Sequence, residues 1–340
     1  MSNVAVAGQR IALRGRLGAE AQPSPAGLDT RRALQLVLAA IWLLDGILQY
    51  QPFMYTSAFP QSLGSQAAGN PSVIASPITW DANLVQHNRV LANTTFATIQ
   101  LLLGLGIAFR PTVRVALAAS VAWSVGVWWF GEGLGGVLSG GADPVNGAPG
   151  AVIIYALLAV LLWPADRPGA RAPFAAARAV GAGVARALWL VLWLSQAYFV
   201  LTPGNRAADA TSALITGMES GEPAWLQGLM RGAASLTAGQ GLATSIVLAA
   251  VFVLIAAGAY LPVAAARATL VLAIVVSALL WVFAQALGGI AASGATDLNS
   301  GPLLALLALA YWPATLDQSA GQPAGQPALP LASSTAKDLI

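Results

Sequence analysis

The sequence predicts an all-α, polytopic membrane protein with about eight transmembrane helices arranged as two parallel four-helix repeats. Of the 340 residues, 57% are hydrophobic and only 9% are charged, whereas charged residues make up roughly 25% of a soluble domain. Several apolar stretches approach or exceed the roughly 20 residues that a helix needs to cross about 30 Å of hydrocarbon. A similarity between the two halves of the chain predicts the repeats.

Eight apolar segments account for the predicted helices. They are 33–53, 90–109, 113–131, 148–163, 186–202, 240–260, 265–286 and 301–313. The last segment is short, so we expect its helix to begin in the preceding loop or to cross a thinned region of membrane. The long connections 51–89 and 202–239 mix Pro, Gly and Asn with apolar and aromatic residues, and we expect ordered structure with short helices in both.

The positions of Lys and Arg predict the orientation. With the N-terminus in the cytoplasm, 13 of the 16 Lys and Arg residues lie on the cytoplasmic side, and only Arg89, Arg206 and Arg231 lie outside. The outer side collects the acids Asp81, Glu132, Asp143, Asp209, Glu219, Glu222 and Asp297. We therefore expect a multi-pass protein of the plasma (inner) membrane with both termini cytoplasmic. The basic excess reflects this topology, and no nucleic-acid partner is expected.

Composition divides the chain into five parts. These are a cytoplasmic N-terminal segment (1–32), a first four-helix repeat (33–165), a cytoplasmic linker (166–185), a second four-helix repeat (186–314) and a disordered cytoplasmic tail (315–340). The tail is polar and rich in Gly, Pro and Ser, which is typical of disorder. No removable signal peptide is expected, because no cleavage-type site follows a short apolar core near the N-terminus.

The repeat is clearest where "WWFGEGLGGVLSGGADPVNGAP" (128–149) aligns without a gap with "WVFAQALGGIAASGATDLNSGP" (281–302). Earlier, "WLLDGILQYQP" (42–52) aligns with "WLSQAYFVLTP" (193–203). Four crossings in each unit make the repeats parallel, so we expect the two units to be related by an axis along the membrane normal.

The alignment also reveals a difference in charge between the units. Asp45 lies opposite Gln196, and Glu132 lies opposite Gln285. Each glutamine keeps polarity and gives up the charge. We therefore predict that the first unit retains an ionisable pair, and that Gln196 and Gln285 are its counterparts in a structural pseudo-copy.

Asp45 and Glu132 are the main candidates for a ligand or proton site. Asp45 is predicted about 12 Å deep along its helix, where a carboxylate is costly unless it is protonated, paired or hydrated. The alternative is a neutral Asp that forms a hydrogen bond between helices. Glu132 lies between glycines at a helix end, next to Trp128 and Trp129, which suit an interfacial aromatic belt. It is either a ligand site or the partner of Arg89.

Other polar residues are weaker candidates. Asn93 and Gln100 are seven residues apart and share a helix face, so they line the cavity of Asp45 or form hydrogen bonds between helices. His87 is a surface residue or a proton carrier. The loop 139–150 contains Asp143 and Asn146, which can coordinate a cation, but a structural turn that caps the fourth helix is favoured.

Several classes of site are excluded by residue counts. The chain has no cysteine and a single histidine, so disulfides, a cysteine nucleophile, cysteine-ligated iron–sulfur clusters and two-histidine haem are not expected. No metal site is predicted. Phosphate-loop, dinucleotide-binding and HExxH motifs are also missing from the sequence.

The four-helix unit, with a long first outer connection and a short third one, resembles the DoxX/DoxD-like superfamily in tandem duplication. The segments "WLLDGILQYQPFM" and "WWFGEGLGG" are also similar to those of uncharacterised actinobacterial-type polytopic membrane proteins. The resemblance implies a role beside a partner subunit in quinone-linked sulfur oxidation, or in membrane redox homeostasis. This chain has no cysteine and so differs from any family member that uses thiols. Direct sulfur or disulfide chemistry is therefore not expected, and no catalytic residue is carried over from the family.

From these observations we expect an accessory or subunit of a redox system that binds a quinone-like lipophilic molecule in an outward-facing cavity, and not an autonomous enzyme. Asp45 and Glu132 are the expected proton acceptors, and Trp128 or Trp129 the expected ring contact. Its expected partners are the lipid bilayer and a membrane or extracytoplasmic protein. A proton- or cation-coupled small-solute transporter and a structural membrane partner are the alternatives.

Overall fold

The computed structural model describes residues 29–166, called here the first half, and residues 172–314, called the second half. Most of the predicted N-terminal segment, residues 167–171 of the predicted linker and the whole predicted tail lie outside the described residues. Within the described ranges the chain is helical and contains no β-strand, only one isolated bridge between Phe174 and Pro313.

Thirteen α-helices form the described structure. In the first half they are α1 (Thr30–Leu48), α2 (Ala58–Ser65), α3 (Ser72–His87), α4 (Arg89–Ala108), α5 (Val113–Phe130) and α6 (Ala151–Leu161). In the second half they are α7 (Ala177–Val180), α8 (Ala182–Val200), α9 (Ala210–Met218), α10 (Ala224–Thr237), α11 (Gly241–Gly258), α12 (Val263–Phe283) and α13 (Ser300–Ala310). The short helices expected in the two long connections are present as α2 and α3, and as α9 and α10.

Five helical segments are long and apolar enough to cross a membrane by length and composition: Arg89–Ala108, Arg110–Phe130, Ala182–Val200, Gly241–Gly258 and Val263–Phe283. Helix α1 has 19 residues but carries Arg31, Arg32 and Asp45. Helices α6 and α13 are apolar but have only 11 residues each. At about 1.5 Å per residue, each covers roughly half of a 30 Å hydrocarbon layer.

The two halves pack in the same way and share one core. Helix α1 packs against α4 as α8 packs against α11, and α5 packs against α6 as α12 packs against α13. Across the halves, α13 contacts both α6 and α1. The largest fully buried side chains include Trp42 and Tyr155 from the first half and Trp189 and Trp193 from the second, all in one continuous apolar cluster.

The chain makes the same tight turn after α5 and after α12. Short 3-10 turns span Gly133–Gly136 and Ala286–Gly289, and in each the leucine has a positive φ, 57° at Leu134 and 55° at Leu287. Positive φ favours glycine, which follows the leucine in both turns. The recurring "LGG" of the sequence therefore specifies this backbone turn.

A tryptophan holds the loop after each turn. The indole N–H of Trp128 donates to the carbonyl of Pro149 at 2.6 Å, and that of Trp281 donates to the carbonyl of Leu298 at 2.7 Å. These bonds place irregular backbone directly before the short helices α6 and α13. Such backbone is tolerated in membrane proteins where protein covers it or where it lines a cavity.

The loop of the first half is also bound by the second half. The side-chain amide of Gln196 in α8 donates to the carbonyl of Ala148 at 2.8 Å, and that of Asn205 donates to the carbonyl of Ala142 at 2.8 Å. Gln196 is only 1% exposed. Since both amides bind backbone carbonyls, the second half fixes the position of this loop.

Candidate functional site

A cavity of about 450 Å³ lies in the first half, where α1 ends and α6 begins. We call it the acidic cavity. Its walls come from α1 to α6 and from the loop 290–299 of the second half. The lining residues are Trp42, Asp45, Gln49, Phe53, Phe59, Ser62, Leu63, Gln66, Asp81, Phe96, Gln100, Ala122, Trp123, Gly126, Val127, Phe130, Gly131, Glu132, Val152, Tyr155, Gly294, Thr296 and Asp297.

Asp45 lies on the inner wall of the acidic cavity and is 1% exposed. The hydroxyl of Tyr155 in α6 donates to its Oδ2 atom. The ring of Tyr155 packs against Trp42, one turn before Asp45, with 4.2 Å between ring centroids. The other carboxylate oxygen, Oδ1, makes no hydrogen bond of ordinary geometry with the described residues, although the backbone N–H of Leu298 faces the carboxylate. Asp45 is therefore oriented mainly by Tyr155, and Oδ1 keeps acceptor capacity for a ligand.

Glu132 lies in the turn after α5 and points at the first turn of α6. Its Oε1 atom accepts the backbone N–H of Val152 at 3.3 Å, and a helix N-terminus favours a carboxylate through its dipole. Gly150 makes this position possible: it has a φ of 117°, and a Cβ there would lie 2.0 Å from Oε2 of Glu132. Like Oδ1 of Asp45, Oε2 is buried and makes no hydrogen bond of ordinary geometry with the described residues.

Asp297 enters the acidic cavity from the second half. Its carboxylate accepts the backbone N–H of Asn299 at 2.6 Å and the hydroxyl of Thr296 at 3.0 Å. Gln49, near the end of α1, donates to the carbonyl of Thr296 at 3.3 Å and so holds the loop in place. We did not select Asp297 from the sequence. The alignment of the two halves could have indicated it, because Asp297 is an acid of the second half that lies opposite an uncharged residue, Pro144, in the first.

The electrostatics of the cavity favour protonated acids or a bound cation. Burial raises the pKa of Glu132 well above its usual range, and the nearby Asp297 raises it further. Burial also raises the pKa of Asp297 and of Asp81. No Lys, Arg or His occurs among the residues that line the cavity, so its walls provide no basic partner to offset these acids.

Two of the polar candidates on α4 behave differently. Gln100 lines the acidic cavity, is 8% exposed, and its Oε1 atom has no donor among the described residues. Asn93 is completely buried and donates to the backbone carbonyl of Gln49. Asn93 therefore fixes the end of α1 from behind the cavity wall and does not line the cavity.

Four further candidates lie outside the acidic cavity. The indole N–H of Trp128 already donates to the carbonyl of Pro149 in the loop before α6. Trp129 stacks on Phe130 with 5.5 Å between ring centroids. His87 is exposed, and its Nδ1 atom lies 2.7 Å from a backbone carbonyl of its own helix. Arg89 forms no ion pair with Glu132 in the described parts of the chain. Of the tryptophans, Trp42 and Trp123 line the cavity, and Trp128 and Trp129 do not.

The counterparts Gln196 and Gln285 do not line the acidic cavity. Gln285 is 1% exposed, and its amide donates to the hydroxyl of Ser300 at the start of α13, at 3.0 Å. Near it lies an apolar cluster made of Val145 from the first half and Ile215, Leu226, Met230, Ala234, Ala284 and Ala286 from the second. Apolar side chains therefore surround this part of the second half.

A second cavity of about 320 Å³, which we call the polar vestibule, adjoins the first. Its walls are mostly glycine backbone and polar side chains from the two loops, including Asp143, Asn146 and Asn299. The two cavities share Gln66, Glu132, Gly294, Thr296 and Asp297. Glu132 and Asp297 thus lie between the two spaces.

The sequence favoured a helix-capping role for Asp143, and Asp143 does cap a helix, although a different one from the helix expected. Its side chain accepts the backbone N–H of Val145 at 2.9 Å and caps the short 3-10 helix Pro144–Asn146, not α6. Burial raises the pKa of this carboxyl. In the described residues, no group of three or more His, Cys, Asp or Glu is arranged to hold a metal ion.

Comparison with family models, with curated proteins and with solved structures gave no match. The DoxX/DoxD-like resemblance therefore stays a prediction, and function has to be argued from the geometry of the acidic cavity.

Proposed function

We propose that this protein is a proton-coupled membrane carrier that binds a small solute in the acidic cavity. The observation that supports this most is the meeting of Asp45, Glu132 and Asp297 in one cavity whose lining has no basic side chain. Ionisable residues inside a membrane protein mark ion and substrate pathways. Of the functions expected from the sequence, the proton- or cation-coupled transporter uses Asp45 and Glu132 as its coupling site, and Asp297 adds a third acid to that site.

Proton exchange follows from the surroundings of Asp45. The groups that face it are the hydroxyl of Tyr155 from α6, the carboxyl of Asp297 from the loop of the second half, and Glu132 beyond them. None of these is basic, and several adjacent carboxylates cannot all be charged at once without large repulsion. A solute that brings positive charge or hydrogen-bond donors therefore displaces a proton when it binds.

We further propose eight membrane crossings as two parallel repeats, with the acidic cavity open to the extracytoplasmic side. The paired packing, the matching turns and the matching tryptophan bonds of the two halves support the repeat. The short helices α6 and α13 complete the fourth and eighth crossings together with the loops before them, as discontinuous helices do at transporter binding sites. At the other end of the bundle, Arg32 at the start of α1 donates to the carbonyl of Ile107 near the end of α4, at 2.9 Å, which favours a cytoplasmic location for that end.

Proton movement in proteoliposomes tests the proposal. Vesicles loaded with a pH-sensitive dye receive phenethylammonium, 2-phenylethanol or 3-phenylpropionate, which share a body and differ in head-group charge. Protein-free vesicles correct for diffusion of the uncharged amine. We expect at least one solute to move protons through the wild-type protein, and Asp45→Asn to reduce that rate by at least about tenfold. Proton movement that survives Asp45→Asn, or none with any of the three solutes, contradicts the proposal.

Glu219→Gln is the matched control, because it also converts an acid to its amide. Glu219 pairs with Arg231 at 3.2 Å in the second half and is not among the residues lining either cavity. Its proton movement should equal that of the wild-type protein.

One observation favours a second candidate, a quinone-binding subunit of a redox system. The indole N–H of Trp123 is buried at the cavity wall without an acceptor among the described residues, and a quinone carbonyl is such an acceptor. Decylubiquinone binding that is lost in Trp123→Phe and kept in Trp225→Phe, an exposed tryptophan of α10, would favour this candidate over the carrier.

A further inference from the structure

The acidic cavity has an excess of hydrogen-bond acceptors deep in its walls. Oδ1 of Asp45, Oε1 of Gln49 and Oε1 of Gln100 make no hydrogen bond of ordinary geometry with the described residues, although the three side chains are only 1%, 4% and 8% exposed. The side-chain N–H of Gln49 already donates to Thr296, which fixes its oxygen as an acceptor. Buried acceptors are normally satisfied, so these three atoms indicate a ligand that supplies donors.

The same cavity has aromatic walls. Trp42 packs on Tyr155, Phe96 packs near Trp123 with 5.8 Å between ring centroids, and all four residues line the cavity. Aromatic rings attract cations through the negative potential of their faces, and indole does so most strongly. Carboxylates combined with aromatic rings recognise a cation that also has an apolar body.

The size of the cavity points in the same direction. A volume of about 450 Å³ is within the range of about 300 to 1,000 Å³ that is usual for small-molecule sites. A bare metal ion is much smaller and needs several oxygen ligands at once. In the described residues, no group of three or more His, Cys, Asp or Glu side chains is arranged to hold such an ion.

We infer that the solute of the acidic cavity is a monovalent organic cation, with an N–H-bearing ammonium head bound by Asp45, Gln49 and Gln100 and an apolar or aromatic body against Trp42 and Trp123. This inference rests on the proposed function, because it names the solute class for the same cavity. The cation would reach the acidic cavity through the polar vestibule, which is lined by Asp143, Glu132 and Asp297. A cleft lined by charges of one sign concentrates ions of the opposite sign.

Equilibrium binding to the full chain in lipid nanodiscs tests the inference with the three phenyl compounds named above. We expect phenethylammonium to bind, 2-phenylethanol to bind at least about tenfold more weakly, and 3-phenylpropionate to bind more weakly still. Asp45→Asn should weaken phenethylammonium at least about tenfold and leave 2-phenylethanol within about twofold. Gln100→Leu, which removes an acceptor and keeps the charge of Asp45, should weaken phenethylammonium by a smaller factor.

Thermal unfolding of each variant separates a lost site from a lost fold, and Glu219→Gln should bind all three compounds as the wild-type protein does. The inference is overturned if the alcohol or the carboxylate binds as tightly as the ammonium compound, or if folded Asp45→Asn protein keeps full affinity for phenethylammonium. If 2-phenylethanol or 3-phenylpropionate drives proton movement and phenethylammonium does not bind, the inferred solute class is wrong and the carrier proposal stands. If phenethylammonium binds but no proton movement follows, the carrier proposal is wrong and the inferred ligand class stands.

Discussion

The two halves of the molecule share a frame and differ in what the frame encloses. Both have a glycine turn after a long helix, a tryptophan bonded to the following loop, and a short apolar helix behind it. In the first half the frame surrounds a cavity with Asp45 and Glu132, whereas in the second it surrounds apolar side chains with Gln196 and Gln285. The frame therefore does not require the acids.

The change from acid to amide is coordinated with the neighbouring side chains. Gln196 donates an N–H to a backbone carbonyl, which an ionised carboxylate is unable to do. Asp45 accepts from Tyr155, whereas helix α13 contains no tyrosine. Tyr311, just after α13, donates instead to the carbonyl of Ala185 at the opposite end of the bundle. Each polar residue therefore has a matching partner: Asp45 has a donor from its own half, and Gln196 has an acceptor in the loop of the first half.

The two ends of the first half show a similar contrast. At the end where α1 begins, Arg178 from the second half binds Asp29 at 2.6 Å and Asp166 at 2.9 Å, and its hydrogen bond lowers the pKa of Asp166. At the other end, the described residues provide no basic partner for Glu132 or Asp297. The protein neutralises its acids where they stabilise the bundle, and leaves them without a counter-ion at the cavity.

The largest expected effect tests the shared turn. A Cβ at Gly135 would lie 1.9 Å from the carbonyl oxygen of Pro149, and one at Gly288 would lie 2.9 Å from that of Leu298, both at positive φ. We expect Gly135→Ala to reduce the free energy of unfolding by about 4 kcal/mol and Gly288→Ala by about 2 kcal/mol. Denaturant titration in detergent measures both.

Gly183→Ala is the control, because nothing lies within 4 Å of its Cβ position in α8. It should leave stability unchanged or raise it slightly. Equal losses at Gly135 and Gly288 would show that the two turns are equally crowded, contrary to these two Cβ distances.

Exchanging the polar residues between the halves tests whether each is fitted to its own surroundings. Gln196→Glu removes a donor to Ala148 and introduces a buried acid without a donor, so we expect a loss of about 3 kcal/mol at neutral pH. Asp45→Asn keeps an acceptor for Tyr155 and should cost less than about 1 kcal/mol. Thermal and denaturant unfolding compare the two variants. Similar costs would mean that the halves are interchangeable at this position.

The sequence was sufficient to predict the helical class, because hydrophobic composition and repeat spacing are local properties. It was less accurate at helix ends: we expected a segment at 148–163, but α6 begins only at Ala151, after Gly150 with its positive φ. The internal comparison selected Asp45 and Glu132, and both line one cavity. Tyr155 and Asp297 were missed because their contacts join distant parts of the chain, which no local pattern encodes.

A smaller effect is expected from removing single hydroxyl groups. Tyr155→Phe deprives Asp45 of its donor and should cost about 1 to 2 kcal/mol of stability and weaken phenethylammonium binding, because the carboxylate loses its orientation. Tyr311→Phe also removes a buried hydroxyl that donates to a carbonyl, and should cost about 1 kcal/mol without changing binding. Unfolding and binding measured on the same preparations separate the two roles. Equal binding by both variants would remove Tyr155 from the site.

The smallest expected effect is on the pH dependence of stability. A carboxyl whose pKa is raised in the folded state keeps its proton where the unfolded chain has lost it, so stability falls as pH rises from the ordinary glutamate value, about 4.3, through the raised value. Burial and Asp297 raise the pKa of Glu132. We therefore expect the melting temperature to fall as the pH rises above about 4.3, and Glu132→Gln to flatten this slope.

The glutamine of this variant reproduces the residue found at position 285, so it makes the first half more like the second. Part of the slope should remain in Glu132→Gln, because burial also raises the pKa of Asp297, and Asp297→Asn should remove a further part. A wild-type slope in Glu132→Gln would mean that Glu132 is ionised in the folded protein, and that a cation already compensates it.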